Sequence, residues 1–238
     1  MSSRIIYIYL FLATLMGSLS IFSGLKWAVP FVQATLIFPL YLYHVINRES
    51  GRAVLHMILW AVLSSAIVVT ITILRPELAE KAILRSTGYR DEMFLWIGTG
   101  IGPEGTPSQF IPQHILHYVV FLGVSLITLG WGGLVMGAIL LNYMNYYVGA
   151  LVLEAGHPTM AALLGWPPYA TIRVIAYICG AIAVSDLMIS MILRRNIWNK
   201  QITRKFAGWS FLLFLSDIAI KIVIAPQWQK LMSTIISR

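Results

Sequence analysis

No aspartate, glutamate, lysine or arginine occurs between residues 111 and 153. That run is about twice the ~20 residues a helix needs to cross ~30 Å of hydrocarbon, so it is too long for one span. Gly130, Gly132 and Gly133 interrupt it near the middle and supply the turn of a helical hairpin. Helices this apolar on every side are stable in lipid rather than in water.

The rest of the chain repeats the pattern. Apolar segments at 5–24, 27–46, 53–74, 114–130, 133–153, 171–193 and 208–225 predict seven spans. Only 11% of the 238 residues are charged, against about 25% in a soluble domain. The fold expected is all-α, a polytopic integral membrane protein with a bundle of about seven transmembrane helices. A soluble enzyme and a disordered chain are excluded. The single cysteine, Cys179, excludes an internal disulfide.

The net charge of +8 does not point to nucleic acid, because the basic residues flank apolar segments and no four are consecutive. Arg48 and Arg52 lie between spans two and three; Arg194, Arg195, Lys200, Arg204 and Lys205 lie between spans six and seven. Four spans separate these loops, so both fall on one side, with Arg4. The positive-inside tendency makes that side cytoplasmic and leaves the C-terminus outside, as in a bacterial inner membrane protein. Arg4, the apolar run and Ser18, Ser20 and Ser23 also resemble a cleavable signal, but the run is long for one.

The expected organisation is one membrane domain over 1–238. It has an outer loop at 75–112, a second at 154–170 and a basic cytoplasmic loop at 194–207. The start of the first loop, PELAEKAILRSTGYR, suits a short surface helix, and 160–166 is too short to cross. Pro30 and Pro39 are expected to kink or break span two. No internal repeat is visible, and the odd span count argues against a duplicated transporter.

Three constellations carry possible chemistry. Asp186 and Asp217 are placed at similar depth on spans six and seven, with Lys221 one turn beyond Asp217, and Asn142 and Asn145 share a face of span five. Charges in hydrocarbon face the bundle interior and pair, so these five residues form the expected intramembrane polar site. A structural Asp217–Lys221 bridge is the plainer alternative. The second set is His114 and His117 with Glu154 and His157, at the outer boundary. His-x-x-His and Glu-x-x-His each share a helix face and suit a divalent metal, with Glu104 as a further ligand or base. The third is His44 and His56, near the inner ends of spans two and three, read as wet interfacial side chains rather than haem ligands.

Asp217-Ile-Ala-Ile-Lys221 is similar to the Asp-x-x-x-Lys of the last helix in microbial rhodopsins. Span three lacks that family's Arg-x-x-Asp-Trp and span six its Trp-x-x-Tyr-Pro, so no role is carried over. No nucleotide, zinc-protease or serine-hydrolase motif occurs. The leading functional expectation is a permease-like protein or the membrane subunit of a larger complex, with the lipid bilayer and other subunits or further copies as partners. A metal-dependent membrane enzyme and a structural scaffold are the alternatives.

Overall fold

A computed structural model describes residues 2–194 and 201–236; Arg195, Trp198 and Lys200 lie outside the described residues. The described chain is all-α and holds seven helices long and apolar enough to cross a membrane. The first, α1 (Ser3–Leu19), buries Ile6, Leu10, Ala13 and Gly17 at helical spacing, while Ile5, Ile8, Phe11 and Leu12 face outward. That apolar outer face is what lipid requires. A 3-10 turn and Gly24, at φ +69°, lead to α2 (Ala28–Ile46). Gly17 lets α1 approach α2 closely, since a Cβ there would lie 3.1 Å from the Gln33 backbone. Contrary to expectation, α2 is unbroken: Pro30 sits in its first turn, where no N–H is needed, and Pro39 is accommodated inside it.

A short turn with Arg48 at φ +59° reverses the chain into α3 (Ser50–Leu74). The long connection is largely helical. Pro76 opens α4 (Pro76–Ala82), and α5 (Ser86–Thr99) follows, ending at Gly100, φ +74°. The second of these extends beyond the surface helix expected from the sequence. It is anchored by buried Met93, Trp96 and Ile97 on one face. Pro107 starts α6 (Pro107–Ile127), seven residues before the expected span. The predicted hairpin turn forms at Gly130, φ +99°, where a Cβ would meet the Tyr41 ring at 2.3 Å. The central helix α7 (Trp131–Glu154) then packs against α2, α3, α5 and α6. The short α8 (Pro158–Leu164) takes in residues 160–164 of the 160–166 piece, and α9 (Pro168–Ile192) pairs closely with α10 (Gln201–Ile236).

Buried polar side chains tie the helices in pairs. Gln33 and Asn142 exchange two hydrogen bonds, at 2.7 and 3.3 Å, between α2 and α7. Tyr41 donates to Ser185 at 2.8 Å between α2 and α9. Ser210 donates to the Ala176 carbonyl, so Tyr118 donates to Ser210, linking α6, α9 and α10. Such bonds satisfy groups that lipid cannot.

Candidate functional site

A cavity of about 110 Å³ lies between α3, α6, α7 and α9, with α5 and the 100–106 segment at one end. That end, on the side of the long connection, is polar: Arg85, Glu92, Glu104, His114, His117 and Arg173 line it. The other end is aromatic and apolar, formed by Tyr41, Met57, Trp60, Leu134, Gly137 and Ala181. Ala170 and Ala181, both on α9, line it, so the cavity runs roughly 16 Å along the bundle at 1.5 Å per residue.

Antiparallel packing of α9 and α10 builds the charged end. Arg173, near the start of α9, forks onto Asp217 of α10, Nε to Oδ2 at 2.8 Å and Nη2 to Oδ1 at 3.1 Å. The Asp217 side chain is fully buried. One turn further along α10, Lys221 is also fully buried, its Nζ 2.6 Å from Glu104 Oε2, a close ion contact outside hydrogen-bond angles. The same ammonium lies 4.4 Å from the Phe110 ring centroid and 5.4 Å from that of Tyr169. A buried ammonium gains from both a carboxylate and aromatic faces. Arg85 reaches toward Glu92 at 3.8 Å and lies over the Tyr143 ring. His114 Nδ1 is 3.6 Å from Asp217 Oδ2, beyond hydrogen-bond reach, and this buried nitrogen has no protein partner.

The two loop-side carboxylates are tuned in opposite directions. Burial works to raise the Glu104 carboxyl, but Lys221 and Arg173 together outweigh it and hold it below the ordinary range. Burial also raises Glu92, its neighbour Glu104 adds to the effect, and Arg85 only partly opposes them, so Glu92 holds its proton more tightly than usual.

The expected site residues divide. Asp217 and Lys221 join the charged end, each with a partner the sequence did not indicate. Asp186 does not meet Asp217. It lies thirteen residues beyond Arg173 along α9, roughly 20 Å away, and accepts the Thr203 hydroxyl. The expected match of depth fails because α10 starts by Gln201, two turns earlier than the predicted span, which shifts the register against α9. Asn142 is taken up by Gln33, and Asn145 accepts from Trp166 Nε1 at 3.1 Å.

His114 and His117 line the cavity, whereas Glu154 and His157 sit exposed at the end of α7 and beyond it. Gly156 and Pro158 carry the chain off the helix, and the His157 N–H points to the Ile235 carbonyl. Among the described residues no three His, Cys, Asp or Glu side chains are placed to hold a metal ion. His44 and His56 are buried rather than wet as expected, and face each other, Nε2 to Nδ1 at 2.8 Å, while His44 Nδ1 meets Glu49 at 2.8 Å. Three of their four ring nitrogens are thereby engaged in a hydrogen-bonded chain.

The sequence reading did not single out Arg173, Arg85 or Glu92. The available signal was Arg173 itself, a lone cation two residues into an apolar span, since an intramembrane charge marks a functional position by default. No protein-family model, curated protein or solved structure matches this chain. The fold and site therefore define it by class only, as a helical chain with seven helices suited to a membrane and an internal cavity charged at one end.

Proposed function

We propose that this chain is a permease-like membrane protein that receives its solute from the side of the long connection, with that side outside the cell. One observation carries the reading. The cavity has charged groups from α5, the 100–106 segment, α6 and α9 at one end, where Arg85 is 52% exposed, and the buried rings of Tyr41 and Trp60 at the other. A polar site inside a bundle, with solvent-exposed groups toward one face and buried rings toward the other, is what one half of alternating access requires. The basic residues of the two short connections on the opposite face favour that face as cytoplasmic.

The test uses a single thiol at the inner end of the cavity. Cys179 is replaced by alanine and Gly137 by cysteine, a position where a Cβ would meet only Phe121, at 3.9 Å. Oriented vesicles are treated with a charged, impermeant thiol reagent from each face in turn, with and without a proton or sodium gradient. A permease exposes this thiol to both faces, in proportions the gradient changes. Labelling from the long-connection face alone, under every condition, overturns transport.

A further inference from the structure

We infer that the cavity binds a zwitterionic amphiphile: a head bearing one ammonium and one carboxylate or phosphate, and an apolar tail extending toward Trp60. The inference rests on the cavity being the substrate site proposed above, and four observations support the ligand class.

The first is charge balance. Arg173 is matched by Asp217, Lys221 by Glu104 and Arg85 by Glu92. A ligand with a net charge would add an uncompensated charge beside two largely buried ion pairs, where charge is costly to leave unmatched. A zwitterion adds none. The second is that the two tight pairs leave groups over. Arg173 uses Nε and Nη2 on Asp217, so Nη1 stands outside that pair. Glu104 meets Lys221 through Oε2 alone, leaving Oε1 outside the contact. These are a donor for an anionic head group and an acceptor for an ammonium, and both residues line the cavity.

The third observation is an unsatisfied group. His114 lines the cavity, its side chain is 6% exposed, and its Nδ1 has no partner. A buried polar atom left alone is costly, and a head-group oxygen or N–H would complete it. The fourth is the gradient of polarity. The rings of Tyr89 and Tyr143, with centroids 4.5 Å apart, line the cavity at its charged end. Beyond them the lining turns apolar over the rest of the ~16 Å cavity, which suits a hydrocarbon tail.

The same chemistry belongs to a free amino acid with a large apolar side chain and to a lysolipid with an ethanolamine head, and the test separates the two sources. The full-length protein in a neutral maltoside detergent is titrated with tryptophan and, separately, with a 12-carbon lysophosphatidylethanolamine. Laurate and dodecylammonium serve as singly charged controls. Calorimetry reads affinity and thermal unfolding reads stabilisation. At least one zwitterion binds about tenfold or more tighter than both controls, and which one does so identifies the source.

Two paired variants, Arg173→Met with Asp217→Asn and Glu104→Gln with Lys221→Met, each remove one pair and keep the net charge. Each lowers zwitterion affinity about tenfold or more while unliganded unfolding stays cooperative. Singly charged amphiphiles binding as tightly as both zwitterions overturn the inference. So does undiminished zwitterion binding by both folded paired variants. Tight zwitterion binding with labelling of Gly137→Cys from one face alone would sink transport and leave the ligand class standing. Two-sided labelling without zwitterion preference would do the reverse.

Discussion

Breaking the Arg173–Asp217 pair should cost very different amounts depending on which partner is removed. Arg173→Met leaves the Asp217 carboxylate where its side chain has no solvent exposure, with His114 at 3.6 Å and Lys221, itself paired with Glu104, one turn along α10. An uncompensated buried charge costs about 3–5 kcal/mol. Asp217→Asn instead leaves the Arg173 guanidinium, whose side chain is 19% exposed and faces the cavity, where water can solvate it. The cost there is nearer that of one lost charged hydrogen bond, about 1.5–3 kcal/mol. The double substitution removes both charges and should return stability to within about 1 kcal/mol of the parent. A coupling of at least ~2 kcal/mol follows in the double-mutant cycle. Reversible unfolding in bicelles, read by tryptophan fluorescence, measures all four proteins. If Asp217→Asn proves as costly as Arg173→Met, or if the two losses simply add, the pair is not a closed, buried ion pair.

Three further outcomes follow from packing and titration. Gly149→Ala drives a Cβ to 2.6 Å from the Thr72 side chain and should destabilise by about 1–3 kcal/mol. Gly137→Ala on the same helix, with nothing closer than 3.9 Å, should be tolerated, and the difference in unfolding midpoint checks both. Glu92 and Glu104 should impose opposite pH slopes on stability. The raised Glu92 binds its proton more tightly when folded, so its contribution falls as pH rises through about 4.5 and above. The depressed Glu104 contributes fully above about 4.5 and loses that as pH falls. Stability–pH curves of Glu92→Gln and Glu104→Gln should deviate from the parent with opposite sign. At the other face, the hydrogen bond from His44 holds the Glu49 carboxyl low, so its contribution is present above about 4.5 and fades on acidification. Glu49→Gln should remove that acid-side slope, measured the same way.

The spans were legible because lipid makes a simple demand: a long apolar run with its backbone bonded to itself. Nothing comparably simple marks helix ends. Residues 201–207 read as part of a basic loop because five charged residues fall within 194–205, yet the helix runs through Arg204 and Lys205 with their side chains outward. Likewise α5 mixes Arg90, Asp91 and Glu92 with apolar residues and looks like surface. What fixes it is one face, Met93, Trp96 and Ile97, packed under α7 and α10. That face becomes visible only once its partners are in place. The site shows the same division. Asp217, Lys221 and His114 declare themselves as polar groups within apolar runs, but their partners depend on register and on the path of a loop. Arg173 meets Asp217 only because α10 begins earlier than its apolar run.

The two tight pairs also tie together different parts of the chain. Arg173 with Asp217 joins α9 to α10, and Glu104 with Lys221 fastens the 100–106 segment onto α10. Under the reading proposed above, a solute head group that engages Arg173 or Glu104 competes with α10 for the same charges. Its binding would weaken the contacts that hold α10 and the long connection in their present arrangement. A ligand shifts a conformational equilibrium only by its differential affinity for the two states. Here that difference has a structural source, since each charge the ligand engages is one that a helix has to share. Substituting both members of a pair by neutral residues would therefore weaken both the binding and the movement it drives while sparing the fold. Single substitutions would instead confound the two by leaving a stranded charge.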